Sequence, residues 1–62
     1  MTTNLHVAAR LKRVSAMKLL IENGADMERK NEVGRTPIQI ASISRNEDGV
    51  RLLIEKLSLI HI

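Results

Sequence analysis

The residues best suited to chemistry in this chain are its two histidines, His6 and His61. A histidine beside a hydroxyl group can serve as the general base in nucleophilic catalysis, and Thr3 and Ser15 are the hydroxyl residues near His6 in the sequence. Such a site also needs a group that orients the base, and residues 1–21 contain no Asp or Glu. We therefore predict that the chain is not an enzyme.

Metal and cofactor sites are not expected either. The two histidines are 55 positions apart and the chain has no cysteine, whereas structural metal sites use several closely spaced His, Cys or carboxylate ligands. The absence of cysteine suits a reducing compartment. No apolar run approaches the roughly 18 residues that span a bilayer, and the N-terminus lacks the features of a secretory signal. We expect an intracellular protein, cytoplasmic or nuclear and not secreted, that makes no membrane contact.

The chain repeats itself at an offset of 33 residues. Six of the 29 pairs at this offset are identical, and four of them form one continuous, largely apolar segment, residues 19–22 matched with 52–55. Self-similarity at a fixed period is typical of tandem supersecondary units that bury their apolar faces against one another. We predict a single domain over residues 1–62, with repeat one at about 3–35 and an incomplete repeat two at about 36–62.

Each copy has the pattern of a helix pair. Thr36 is a favourable N-cap and Pro37 suits the first helical position, so the first helix of copy two begins at Pro37 and ends near Ser44. In copy one, Gly24 is expected to end the second helix by adopting a left-handed conformation. Asn46 is expected to cap the last helix, whose apolar stripe predicts a helix to about Leu59 within the apolar segment 57–62.

The segment that joins the helix pairs is polar. Residues 24–35 contain two glycines and six charged residues, a composition typical of an exposed loop or an extended hairpin. The helices themselves are too short to persist alone in water. Packing between the two copies must therefore stabilise both.

Two segments resemble the ankyrin repeat family. Residues 34–41, Gly-Arg-Thr-Pro-Ile-Gln-Ile-Ala, are similar to its Gly-x-Thr-Pro-Leu-His-x-Ala signature, and residues 19–26 to the Leu-Leu-x-x-Gly-Ala-Asp that closes a repeat. The resemblance covers about residues 3–56. It implies an all-α fold, an ankyrin-like solenoid of two helix-turn-helix repeats joined by a β-hairpin finger loop. It also implies a structural role for His6, the binding of another protein, and no catalytic residue or cofactor.

The resemblance also implies a contact surface. The finger would centre on residues 27–34, and the inner helices would begin near Asn4 and Pro37. The residues carried over as partner contacts are Glu28, Lys30, Glu32, Val33, Arg35 and Gln39. The chain departs from the family pattern at Lys12 and Arg45, which replace the usual glycine between the helices, and at Gln39, which replaces the signature histidine.

Two other functions stay open on the sequence. The net charge is +3, and the excess lies in a basic cluster of Arg10, Lys12, Arg13 and Lys18, which suggests binding to nucleic acid or to an acidic protein surface as an alternative. The chain has no aromatic residue that could stack on bases, so we do not expect nucleic acid as the partner, nor a small-molecule substrate. The other alternative is a truncated fragment without independent activity.

Overall fold

Four helices in two pairs make up the part of the chain that the structure describes. The computed structural model describes the backbone of residues 2–60 and the side chains of residues 2–58. The helices are α1 (Asn4–Arg10), α2 (Val14–Glu22), α3 (Pro37–Ile43) and α4 (Glu47–Ile60). These helices confirm the all-α class and the pairing predicted from the 33-residue offset. His61 lies outside the described residues, as do the side chains that end the segment 57–62.

The helices begin where the sequence predicts. Thr3 is the N-cap of α1 and Thr36 that of α3, and Pro37 occupies the first turn of α3. In each copy, the residue at the third helical position bonds back to the cap: Thr36 N–H donates to Gln39 Oε1 at 2.9 Å. This arrangement satisfies backbone donors that have no partner within the helix.

Three helix ends share one geometry. At the end of α2, Gly24 has a φ of +89°, its N–H donates to the carbonyl of Ile21, and Ala25 N–H donates to that of Leu20. This pair of bonds is the Schellman motif. The same bonding ends α1 and α3, where Lys12 and Arg45 have φ values of 61° and 57°. Non-glycine residues thus occupy left-handed positions that favour glycine.

The core lies between the two copies. Its fully buried members come from all four helices: Leu5, Ala8, Ala9, Met17, Ala41 and Leu53. α1 packs against α2 and α3, and α4 packs against α2 and α3. Alanine at three core positions allows the helix backbones to approach closely. Neither helix pair has this interior by itself, so the stacking of the copies stabilises both.

The finger differs in detail from the predicted β-hairpin. None of residues 2–60 is in a strand. Asn31 N–H donates to the Arg35 carbonyl at 2.8 Å, which closes a turn as in a hairpin. The amides of Val33 and Arg35 nevertheless donate to Asn31 Oδ1, at 3.1 and 2.9 Å. Because the Asn31 side chain competes for these donors, strand pairing does not extend along the finger.

Candidate partner-binding surface

The finger, residues 27–34, is held by a small set of local bonds. Asp26 Oδ1 accepts from Glu28 N–H at 2.9 Å where the finger begins, and Asn31 closes its tip. Gly34 follows with a φ of +78°, and its N–H donates to the Asn31 carbonyl at 2.9 Å. Met27 is half-buried and packs against the core. The finger is therefore shaped by backbone groups and by the side chains of Asp26 and Asn31.

His6 anchors the base of the finger to the inner helix of copy one. Its Nε2 lies 2.9 Å from the Arg35 carbonyl oxygen. Because a carbonyl can only accept, Nε2 must carry the proton, and in neutral histidine Nδ1 is then an acceptor. Nδ1 lies 2.7 Å from Thr3 Oγ1 and 3.3 Å from Thr3 N. The structural role expected for His6 is confirmed, since the residue is 1% exposed and both ring nitrogens are hydrogen-bonded.

All six predicted contact residues are exposed. Five of them belong to the finger or its end: Glu28, Lys30, Glu32, Val33 and Arg35. Val33 is 69% exposed, an apolar side chain left in water among charged neighbours. Gln39 lies apart from these, in the first turn of α3, where its Oε1 caps Thr36. The structure thus brings five of the residues together on one loop and places the sixth on the adjacent inner helix.

Asn46 has a role that sequence reasoning identified only in part. As expected it caps α4, with Oδ1 accepting from Gly49 N–H at 3.0 Å. It is also buried, at 4% exposed, and its Nδ2 donates to the carbonyl of Ala9 in copy one at 3.1 Å. Ala in place of Gly49 would bring its Cβ into a clash with Asn46 Nδ2. The pairing of Asn46 with a glycine three residues later is the sequence signal for this buried position.

The basic cluster lies at the C-terminal end of α1, in the following turn and on α2, outside the finger segment. Arg10, Lys12 and Arg13 are exposed at the end of α1 and in the turn before α2, and Lys18 is exposed on α2. Lys12 and Arg45 occupy equivalent turns of the two copies. The surface is open to solvent, and it has no feature beyond charge that would recognise nucleic acid.

Two features of the described residues bear on catalysis and metal binding. His6 is enclosed by its bonds to Thr3 and Arg35, whereas Ser15 is exposed on α2. In the part of the chain that the structure covers, no three His, Cys, Asp or Glu residues are grouped so that they could hold a metal ion. Within the same part, no helix has the length and apolar character needed to cross a membrane.

Comparison with known proteins agrees with the geometry. A family model described as ankyrin repeats in three copies matches residues 1–61. A Caenorhabditis elegans protein, a homologue of transient receptor potential cation channel subfamily A member 1, is 40% identical over 52 residues. That match covers 84% of this chain and 4% of the relative, so the chain spans a small part of the relative's length. Together with the two capped helix pairs and the finger, these matches show that the chain belongs to the ankyrin repeat family.

Proposed function

We propose that this chain is a noncatalytic protein-binding module and that the finger, with the first turn of α3, is its contact surface. Ankyrin repeats are generally protein–protein interaction modules and generally noncatalytic. The observation that carries the proposal is the separation of roles within the finger. Its conformation depends on Asp26, Asn31 and the bond from His6 to the Arg35 carbonyl, while its charged side chains and Val33 are exposed.

The chemistry of the finger favours a polar protein surface with a small apolar pocket. Glu28 and Glu32 are acidic, and Lys30 and Arg35 are basic, so the finger presents both signs of charge over a short stretch. Paired charges of this kind add specificity and speed association more than they add affinity. Val33 supplies the exposed apolar group that a pocket on the partner would bury. A partner with complementary alternating charges fits this arrangement.

The match to the channel homologue adds a context for the proposal. Because the shared stretch is 4% of that protein, what we transfer is the interaction role of an ankyrin segment, not channel activity. We propose that the chain works as part of a larger assembly. The intracellular location, cytoplasmic or nuclear, stays a prediction that imaging of a tagged chain would test.

Alanine substitution of the finger tests the proposal. A tagged chain with Glu28, Lys30, Glu32 and Arg35 all changed to Ala is compared with the wild type in affinity capture, and each captured protein is then titrated in purified form against both. We expect loss of binding at least tenfold, with an unchanged far-UV circular dichroism spectrum. A matched control changes four exposed charges elsewhere to Ala: Lys18, Glu22, Arg51 and Glu55.

The outcome that contradicts the proposal is binding that survives the four finger substitutions or falls equally in the control. In that case the finger is not the contact surface. Separate substitutions Val33→Ala and Gln39→Ala then show whether the apolar group or the first turn of α3 contributes independently of charge.

A further inference from the structure

An open groove on copy two repeats the surface that is already covered on copy one. Met17 and Ala9 of copy one are both 0% exposed, because copy two packs over them. Their equivalents 33 positions later, Val50 and Ser42, are half-buried and exposed. The residues that line the groove are Ala41, Ser42, Arg45, Asn46, Glu47, Val50 and Arg51. We refer to this surface as the trailing groove.

The opposite side of copy one is equivalent to the side through which copy two packs on copy one. Copy two packs on copy one through Pro37 and Leu53, and both are fully buried. The equivalent residues of copy one, Asn4 and Leu20, are exposed and half-buried. Residues at equivalent positions of the two copies therefore differ in exposure, because only one of each pair is covered by a neighbouring copy. We refer to the surface around Asn4 and Leu20 as the leading face.

The hydrogen bonds between the copies define the register in which the two surfaces would meet. His6 Nε2 donates to the Arg35 carbonyl, which lies just before copy two. If a second molecule stands where a third copy would follow, Gln39 takes the place of His6. Thr2 of the second molecule then takes the place of Arg35, so the equivalent bond runs from Gln39 to the Thr2 carbonyl. Gln39 is exposed, and since its Oε1 serves Thr36, its amide N–H₂ is the group that would donate.

The second bond between the copies transfers in the same way. Asn46 Nδ2 donates to the Ala9 carbonyl. Arg13 is the equivalent of Asn46 in copy one, and Ser42 is the equivalent of Ala9 in copy two. In the same arrangement, Arg13 of the second molecule would therefore donate to the Ser42 carbonyl. Arginine is a donor with more reach than asparagine. Glu47 lies in the groove and offers the guanidinium of Arg13 a countercharge.

We propose that the trailing groove binds the leading face of a second copy of this chain, so that molecules associate head to tail in the register of the internal repeat. The interface is heterologous, because the two surfaces differ, and such contacts propagate as open chains unless the rotation closes a ring. The contact area is that of one helix pair on another, so the association is weak. It shares Gln39 with the proposed contact surface but uses none of the finger residues, and it does not depend on the proposed function.

Two substitutions at exposed positions, one on each surface, test the proposal. Ser42→Arg places a long charged side chain where copy one has the fully buried Ala9, and Asn4→Glu places a carboxylate where copy two has the fully buried Pro37. Both positions are exposed in the single molecule, and each new charge is favourable at its helix end. Far-UV circular dichroism verifies that both variants fold, and Ser42→Glu or Asn4→Asp replaces any variant that does not.

Sedimentation equilibrium over a rising concentration series gives the readout. We expect the mean mass of the wild type, and of the control Ser15→Arg, to rise with concentration beyond that of a dimer. Each variant alone stays monomeric because it keeps only one of the two surfaces. An equimolar mixture of the two variants forms a dimer and nothing larger, because the groove of Asn4→Glu accepts the leading face of Ser42→Arg.

Three results would overturn the proposal. A wild type that stays monomeric up to its solubility limit shows that the groove does not bind a second copy. Self-association that persists in either variant alone indicates a symmetric contact or another surface. A mixture that stays monomeric while the wild type associates shows that the two surfaces are not each other's partners. None of these results bears on finger binding, which is measured with different substitutions.

Discussion

The effect of Gly49→Ala on stability should change sign when Asn46 is removed. Gly49 lies in the first turn of α4, and its N–H donates to Asn46 Oδ1. A Cβ at this position would clash with Asn46 Nδ2 and lie 2.8 Å from Asn46 Cγ, closer than non-bonded atoms allow. Alanine in place of glycine normally stabilises a helix by up to about 1 kcal/mol, so the buried asparagine and the helix propensity oppose each other here.

The magnitudes decide which effect dominates. One side chain makes both bonds, so moving Asn46 to make room for Cβ weakens its cap, worth about 0.5–2 kcal/mol, together with its bond to the Ala9 carbonyl, worth about 0.5–1.5 kcal/mol. Since up to about 1 kcal/mol is regained from propensity, we expect Gly49→Ala to lower the free energy of unfolding by about 1 kcal/mol. The Asn46→Ala substitution removes the side chain that clashes with Cβ. In that variant, Gly49→Ala should raise the free energy of unfolding by up to about 1 kcal/mol.

Urea unfolding followed by far-UV circular dichroism measures the four members of this double-mutant cycle. Where a variant is partly unfolded in buffer, titration with trimethylamine oxide restores a folded baseline. Ser58→Ala, at an exposed position of α4, is the control and should have the same effect in both backgrounds. The reasoning fails if Gly49→Ala stabilises the wild type, or if its effect is equal with and without Asn46.

Two further predictions concern the turns and the core. Lys12→Gly and Arg45→Gly should each raise the free energy of unfolding by about 1 kcal/mol, because left-handed backbone costs other residues roughly 1–2 kcal/mol and these positions have φ of 61° and 57°. Unchanged urea midpoints would contradict this, and Gly24→Ala, at a φ of +89°, should shift the midpoint in the opposite direction. Leu53→Ala should lower the free energy of unfolding by about 2–5 kcal/mol through lost burial and a cavity, since Leu53 is 0% exposed. Leu19→Ala, at a position 60% exposed, should change it by only about 0.5 kcal/mol, and equal losses in a thermal melt would refute the core assignment.

The location of the finger could be predicted from the sequence, whereas its hydrogen bonding could not. The sequence located the finger and its exposed charges, because polar residues and glycines between two apolar stripes leave little alternative. It did not show that Asn31 would take the amides of Val33 and Arg35. That outcome depends on which of two competing acceptors is nearer once the chain has turned, and only the folded structure sets that distance.

What the sequence determined by itself is the local part of the fold. The 33-residue period, the caps at Thr3 and Thr36, and the stop at Gly24 follow from helix-end chemistry, which acts between residues a few positions apart. Only the tertiary structure decided which equivalent residues are buried, as with Pro37 and its exposed equivalent Asn4. The burial of a residue depends on what packs against it as well as on its type, because apolar surface at these positions leaves water only where another copy covers it.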